Sequence, residues 1–117
     1  MSYIDGFVAA VPTANKEAYR AYAQVMGQVF KEYGALEVID CWGDDVPEGK
    51  LTSFTMAVKR EDDESVVFSW LMWPSREVRD DAWGKVMADP RMKASVTPMP
   101  FDGKRMIYGG FEMISKV

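Results

Sequence analysis

The chain has 117 residues, with 14 basic and 18 acidic side chains for a net charge of −4, and 48% of it is apolar, the balance of one water-soluble domain around a single core. No basic block is present to displace counterions from a phosphate backbone, and no apolar run approaches the roughly 18 residues of a membrane span, so neither nucleic acid nor a membrane is an expected partner. Histidine is absent and Cys41 is the single cysteine, which removes imidazole metal ligation, a proximal haem histidine, histidine acid-base catalysis and an internal disulfide.

The N-terminus, MSYIDGF, lacks the basic and then apolar segments of a secretory signal, and a cytoplasmic location is expected. Residues 3–11, YIDGFVAAV, read as a strand. Pro12 stops it, and Thr13 and Asn15 are helix N-cap candidates. From Ala18 onward Tyr22, Val25, Met26, Val29, Phe30 and Tyr33 fall on one helical stripe, and Gly34 offers the left-handed residue that closes it. Residues 35–42, ALEVIDCW, form a second strand, ended by Gly43 and the loop DDVPEGK. The stretch LTSFTMAVKREDDE that follows is expected to be irregular. A third strand, VVFSWLMW at 66–73, is rich in branched and aromatic residues. Pro74 and Ser75 again give a stop and a cap, and a second helix runs from Arg76 to Ala88 with Val78, Ala82, Val86 and Met87 inward. Asp89-Pro90 ends it, and after SVTPMPFDGK the segment RMIYGGFEMI, 105–114, makes the last strand.

The two halves share an outline in which an apolar strand meets proline, a hydroxyl residue and a helix reaching Val-Met, as in VPTANKEAYRAYAQVM and WPSREVRDDAWGKVM. A β-α-β unit used twice gives β-α-β-β-α-β, a single α+β ferredoxin-like domain over residues 1–117, with two helices on one face of a four-stranded antiparallel sheet. Two helices cover only one face, yet both faces are apolar. With Ile4, Gly6, Val8 and Ala10 set toward the helices, the other side carries Tyr3, Asp5, Phe7 and Ala9. The last strand splits likewise, with Tyr108, Gly110 and Glu112 outward, and Val38, Asp40 and Trp42 of the second strand lie opposite Ile39 and Cys41. Strand three brings aromatics on whichever side faces out, Phe68 and Trp70 or Leu71 and Trp73. Such a patch exceeds what monomers expose, and a second copy of the chain, pairing face to face as a barrel, is the expected cover. Gly109 then lets a helix approach and Gly110 opens a pocket between Tyr108 and Glu112, unless the glycine pair marks a bulge.

The set DCWGDDVPEGK, VVFSWLMWPS, KVMADPRM and PFDGKRMIYGGFEMI resembles the YbaA-like family of small bacterial proteins, in the dimeric α-β barrel superfamily, over nearly the whole chain. The resemblance implies the ferredoxin-like fold and a homodimer. That superfamily includes cofactor-independent monooxygenases, haem-degrading enzymes, small lyases and isomerases, and proteins that only bind ligands; the absence of histidine counts against the haem-degrading branch. No catalytic residue is carried over by the resemblance.

Asp5, Asp40 and Glu112 are expected to enter one largely aromatic space, where lost hydration raises a carboxyl pKa and suits it to proton transfer. Asp40 and Glu112 are the candidate proton-transfer groups, with Tyr108 or Tyr3 orienting the ligand. Tyr3, Phe7, Trp42 and Trp70, with Asp5 and Gly110, would wall a site for a flat apolar molecule. The competing reading pairs each carboxylate with a partner's cation to fix dimer register, inside a dry core. Cys41 is placed with Ile39 against the helices as a small apolar group. DCWGDD matches no known cation loop and reads as a solvated turn, and no nucleotide-phosphate motif is present, so neither a metal nor a cofactor is expected. The resulting reading is a cytoplasmic homodimer that binds or transforms a small apolar organic molecule without a cofactor. The alternative is a non-catalytic binding or regulatory protein whose barrel is filled by side chains and which works through its acidic loops. RNA binding through the sheet lacks its motif and would be blocked by pairing.

Overall fold

The computed structural model describes residues 2–117. Four strands, β1 (Tyr3–Pro12), β2 (Glu37–Trp42), β3 (Glu64–Trp73) and β4 (Ile107–Glu112), alternate with two long helices, α1 (Lys16–Glu32) and α3 (Arg76–Ala88); a single turn, α2 (Phe54–Ala57), lies between β2 and β3. The sheet order is β2-β3-β1-β4 and every pairing is antiparallel. This is the α+β ferredoxin-like arrangement expected from the doubled β-α-β pattern. β1 and β3 are the most apolar runs and take the two central places, where both edges are paired and withdrawn from water; their register runs unbroken from Tyr3 opposite Trp73 to Pro12 opposite Glu64.

Local chemistry sets the helix ends. At the close of α1, Gly34 takes φ +117°, the Ala35 N–H reaches the Phe30 carbonyl at 3.0 Å and the Gly34 N–H reaches Lys31 at 3.2 Å, the paired bonds of a Schellman motif that the left-handed glycine makes accessible. The start of α1 differs from expectation: residues 13–15 form a 3-10 turn and Asn15 caps nothing with its side chain. Its amide instead donates to the Pro100 carbonyl at 2.9 Å. α3 is capped as predicted, the Ser75 hydroxyl accepting from the Val78 N–H at 3.2 Å.

The alternation of the strands has the expected period and the opposite sign. Tyr3, Asp5 and Phe7 face the helices: Asp5 accepts from Trp83 and Arg79 of α3, and Phe7 packs 6.5 Å from Trp83. Ile4, Gly6 and Val8 lie on the helix-free face with Phe68, Trp70 and Met72. Cys41 goes with them, exposed, rather than against the helices. Period-2 patterning defines two sets of side chains but not which set is inward when both are apolar. The deciding feature is Asp5, whose burial is stable only where α3 supplies donors. The core beneath α1 and α3 accordingly holds Met26, Val29, Phe30, Leu71, Trp73, Ala82 and Val86.

The glycines of β4 serve the same two sides, reversed. The register of β1 with β4 skips no residue from Tyr3 opposite Glu112 to Val8 opposite Ile107, so the pair is not a bulge. Gly109 stands opposite Gly6 on the open face, and the Phe111 ring lies over both, 3.4 and 3.6 Å from where their Cβ atoms would be. Gly110 faces the helix side, where a Cβ would stand 2.5 Å from the Tyr3 hydroxyl and 2.9 Å from Arg79 Nη2. It lets these two side chains close over the strand rather than opening a gap between subunits.

The stretch 51–64, expected to be irregular, contains α2, capped by the Ser53 hydroxyl on the Met56 N–H. Its following residue, Val58, is fully buried against Val8, Ala10 and Val66, and Phe54 stacks edge-on with Phe68 at 6.0 Å. This segment covers one end of the open face and leaves the other bare. The molecule is a slab 21 Å thick, the depth of one sheet and one helix layer. Phe68, at 43% exposure, and Phe111, at 60%, remain on the uncovered side.

Candidate functional site

A cavity of about 330 Å³ lies within the subunit, between the sheet and α1, and is roofed by the segment that follows α3. Its floor is Phe7, Ala9, Val67, Ser69 and Leu71 from the central strands; Tyr19, Tyr22, Ala23 and Met26 of α1 form one wall, and Met92, Met99 and Phe101 close it. Helical spacing puts Tyr19 and Tyr22 three residues apart on one face. Their rings stand 6.2 Å apart, and each lies 5.8 Å from Phe101. The roof is pinned at both ends. Before it, Asp89 accepts from Arg91 and from the Tyr33 hydroxyl; after it, Arg105 holds Glu64 through two bonds of 2.7 and 2.6 Å and also Asp102. The bonded arginines hold Asp89 and Glu64 below the usual carboxylate range, and the Lys104 backbone N–H, followed by Arg105, does the same for Asp102.

One carboxylate reaches the cavity. Asp40, on the edge strand β2, accepts from the Tyr19 hydroxyl through Oδ1 at 2.8 Å. Loss of hydration raises its carboxyl above the ordinary value, while the hydroxyls of Tyr19 and Ser69 pull the other way by favouring the ionised form. Burial and the charge of Asp40 together push the Tyr19 phenol far above its usual value, so it remains a hydrogen-bond donor, and the same two causes raise Tyr22. Asp40, Tyr19, Ala23, Gly27 and Val38 also border a second, outward groove of about 330 Å³ between α1 and β2. Asp40 thus stands where an apolar chamber meets an open approach, an arrangement suited to taking a proton from an apolar molecule and returning it.

A separate carboxylate is walled off. Asp5 is 3% exposed. Arg79 grips it at 2.7 and 3.1 Å, and the indole N–H groups of Trp73 and Trp83 donate to Oδ2 at 2.8 and 2.9 Å. The carboxylate in turn raises the Arg79 guanidinium. With its acceptor positions occupied and no path to solvent, this group locks α3 to β1 and β3.

Residues 2–103 match the model of a protein family described as a protein of unknown function, DUF1428. Protein YbaA of Escherichia coli strain K12 is 60% identical over 114 residues, covering 97% of both chains, and YbaA of Shigella flexneri matches to the same extent. The chain belongs to the DUF1428 family. Among solved structures, a mutant of SnoaB, a cofactor-independent oxygenase from Streptomyces nogalater, superposes with a TM-score of 0.53 at 14% identity, covering 99% of this chain and 94% of that one. That likeness shows the fold alone, the α+β arrangement that the sequence resemblance implied.

In this family member the residues singled out from the sequence do not converge on one space. Asp40 and Phe7 line the cavity, and Trp42 stands beside it, 6.1 Å from the Tyr19 ring. Tyr3 and Asp5 belong to the α3 lock, Tyr3 beneath Arg79 at 5.3 Å, and Gly110 makes room for them. Trp70 lies on the opposite face of the sheet. Tyr108 and Glu112 sit on the far edge strand, Tyr108 74% exposed. Asp40 and Glu112 are three strand spacings apart, on the order of 14 Å, too far to act on one atom. The groove of the open face is lined by Ile4, Phe68, Trp70, Met72, Ile107 and Phe111 among others, with no carboxylate. Sequence reasoning missed Tyr19, Ser69 and Phe101. Tyr19 was legible as the partner of Tyr22 on the α1 stripe; Phe101 carried no signal, since it acts from an irregular segment.

Proposed function

We propose that the protein binds a small, mostly apolar organic molecule in the cavity between α1 and the sheet and exchanges a proton with it through Asp40, held by Tyr19. The observation that carries this reading is the hydrogen-bonded Asp40–Tyr19 pair at the mouth of an otherwise apolar chamber, with the carboxyl raised by burial. SnoaB is described as a cofactor-independent oxygenase, which supports the reading that this fold can carry chemistry without a cofactor. Phe7 contributes apolar wall to this chamber and Trp42 to the groove outside it, rather than to a cavity between subunits. Tyr19 takes the orienting role first given to Tyr108 or Tyr3. Trp70 belongs instead to a second surface, the bare sheet face, through which two copies pair as a homodimer whose interior is filled by Phe68, Trp70, Met72 and Phe111.

The test is mass spectrometry of small molecules released on denaturing the purified protein, beside an Ala23→Phe variant that fills the cavity, with circular dichroism to establish that both are folded. A low-mass apolar compound released by the unaltered protein and lost from the variant is expected. Release of the same compounds from both would refute the site.

A further inference from the structure

The groove outside Asp40 has a charge pattern that the chamber lacks. Lys16, Arg20, Gln24, Gly27 and Lys31 all border it, and these positions, separated by four, four, three and four residues, form one straight stripe of α1. At 1.5 Å per residue the stripe is about 22 Å long. Gly27 at its middle brings α1 close to β2, a Cβ there standing 3.4 Å from Val38, so the groove narrows over the chamber and the cations flank it. Three cations face one carboxylate, Asp40, across the groove lining, although the whole chain carries a net charge of −4. Lys16 is not held by an acid: its ammonium lies 5.8 Å over the Trp42 ring. Lys31 reaches only the Leu36 carbonyl, at 3.5 Å. Arg20 bonds Glu17 at 3.1 Å, in a pair that is exposed on both sides and therefore held weakly.

Resting on the reading of the chamber given above, we infer that the ligand is an amphipathic organic anion, an apolar ring body with one carboxylate-like group, bound with its body in the chamber and its charge between Lys16 and Arg20, one helical turn apart, while Lys31 at the far end of the stripe adds only a longer-range attraction. Polarity dictates the direction of entry. The charged end cannot pass into a space walled by aromatic and methionine side chains without losing its hydration, and the Asp40 carboxylate repels it from the mouth. The ligand position next to Asp40 is then the carbon or hydroxyl that joins the body to the charged group. A C–H or O–H there is the one whose proton Asp40 receives: the ligand's bonding pair stays on carbon or oxygen, and the proton ends on the aspartate oxygen. The cations lie in the right place to hold the extra negative charge.

Calorimetric titration with 2-naphthoate and with its neutral counterpart 2-naphthalenemethanol tests the inference. Naphthoate is expected to bind the unaltered protein more tightly than the alcohol. In the triple variant Lys16→Gln, Arg20→Gln, Lys31→Gln it should lose about tenfold in affinity, the size expected of two exposed ion pairs and a weaker long-range attraction, with the alcohol unaffected; raising the salt concentration should weaken naphthoate alone. A Lys16→Arg, Lys31→Arg variant, which keeps the charge, should bind as the unaltered protein does. If both probes bind equally and the triple variant changes neither, the anion inference is overturned while the chamber stands. If Ala23→Phe leaves the binding of both probes intact, the chamber reading falls and this inference with it.

Discussion

Asp5 and Asp40 are both aspartates on strands of one sheet, and their surroundings give them opposite work. Asp5 is met by a guanidinium and two indole N–H groups, so its removal strands an arginine whose side chain is only 23% exposed together with two indole donors. Asp5→Ala should cost roughly 3 kcal/mol, the lower end for breaking a buried pair, read as a lower midpoint in urea at unchanged slope. Asp40 has no cation among its bonded partners, and its raised pKa sets how its contribution varies with pH. An acid whose folded-state pKa lies above its unfolded value binds the proton more tightly when folded. Its contribution to stability is therefore greatest in acid and is lost as the pH rises from about 4 through the folded value. Asp40→Asn should lack that loss. The difference in melting temperature between variant and unaltered protein should turn in the variant's favour over this window, because a group kept for chemistry is not placed for stability. The opposite trend would place Asp40 in a stabilising ion pair.

At the scale of elements, glycines separate positions set by packing from positions that are free. Gly110→Ala would drive Tyr3 and Arg79 apart and should cost about 1–3 kcal/mol. Gly84→Ala on α3 meets nothing within 4 Å and should stabilise by up to about 1 kcal/mol. Thermal melts of the two variants check both signs. The elements themselves were legible: the stripe from Tyr22 to Tyr33, Gly34 past its end and Ser75 before α3 specify local structure through spacing and capping alone. The sense of the sheet was not. Ile4, Val8 and Ala10 are as apolar as Tyr3, Phe7 and Ala9, so hydrophobicity cannot rank the two faces. What does rank them is that Asp5 needs Trp73, Trp83 and Arg79, residues 68 to 78 positions away. That long-range fact also moved the site, because Asp40 went with Asp5 to the helix side. Trp70, whose side the strand pattern left undecided, lies on the open face.

For the whole molecule, one helix layer on one sheet leaves Phe68, Trp70 and Phe111 beside the glycine floor with only α2 covering one end. A partner copy would bury this patch, and sedimentation velocity at micromolar concentration should give a dimer, with Trp70→Glu giving monomers that keep their helical circular dichroism; a monomeric unaltered protein would remove the proposed pairing. No helix among the described residues is long and apolar enough to cross a membrane. In the proposed reading one face serves assembly and the other, between α1 and the sheet, serves the ligand. The Asp40 carboxyl tests this most directly, through its carbon resonance followed against pH in the folded protein and in the same protein in urea. The account predicts a folded midpoint above the unfolded one, rising further in Tyr19→Phe, where a bond that favours the ionised form is gone. A folded midpoint at or below the unfolded one would contradict it.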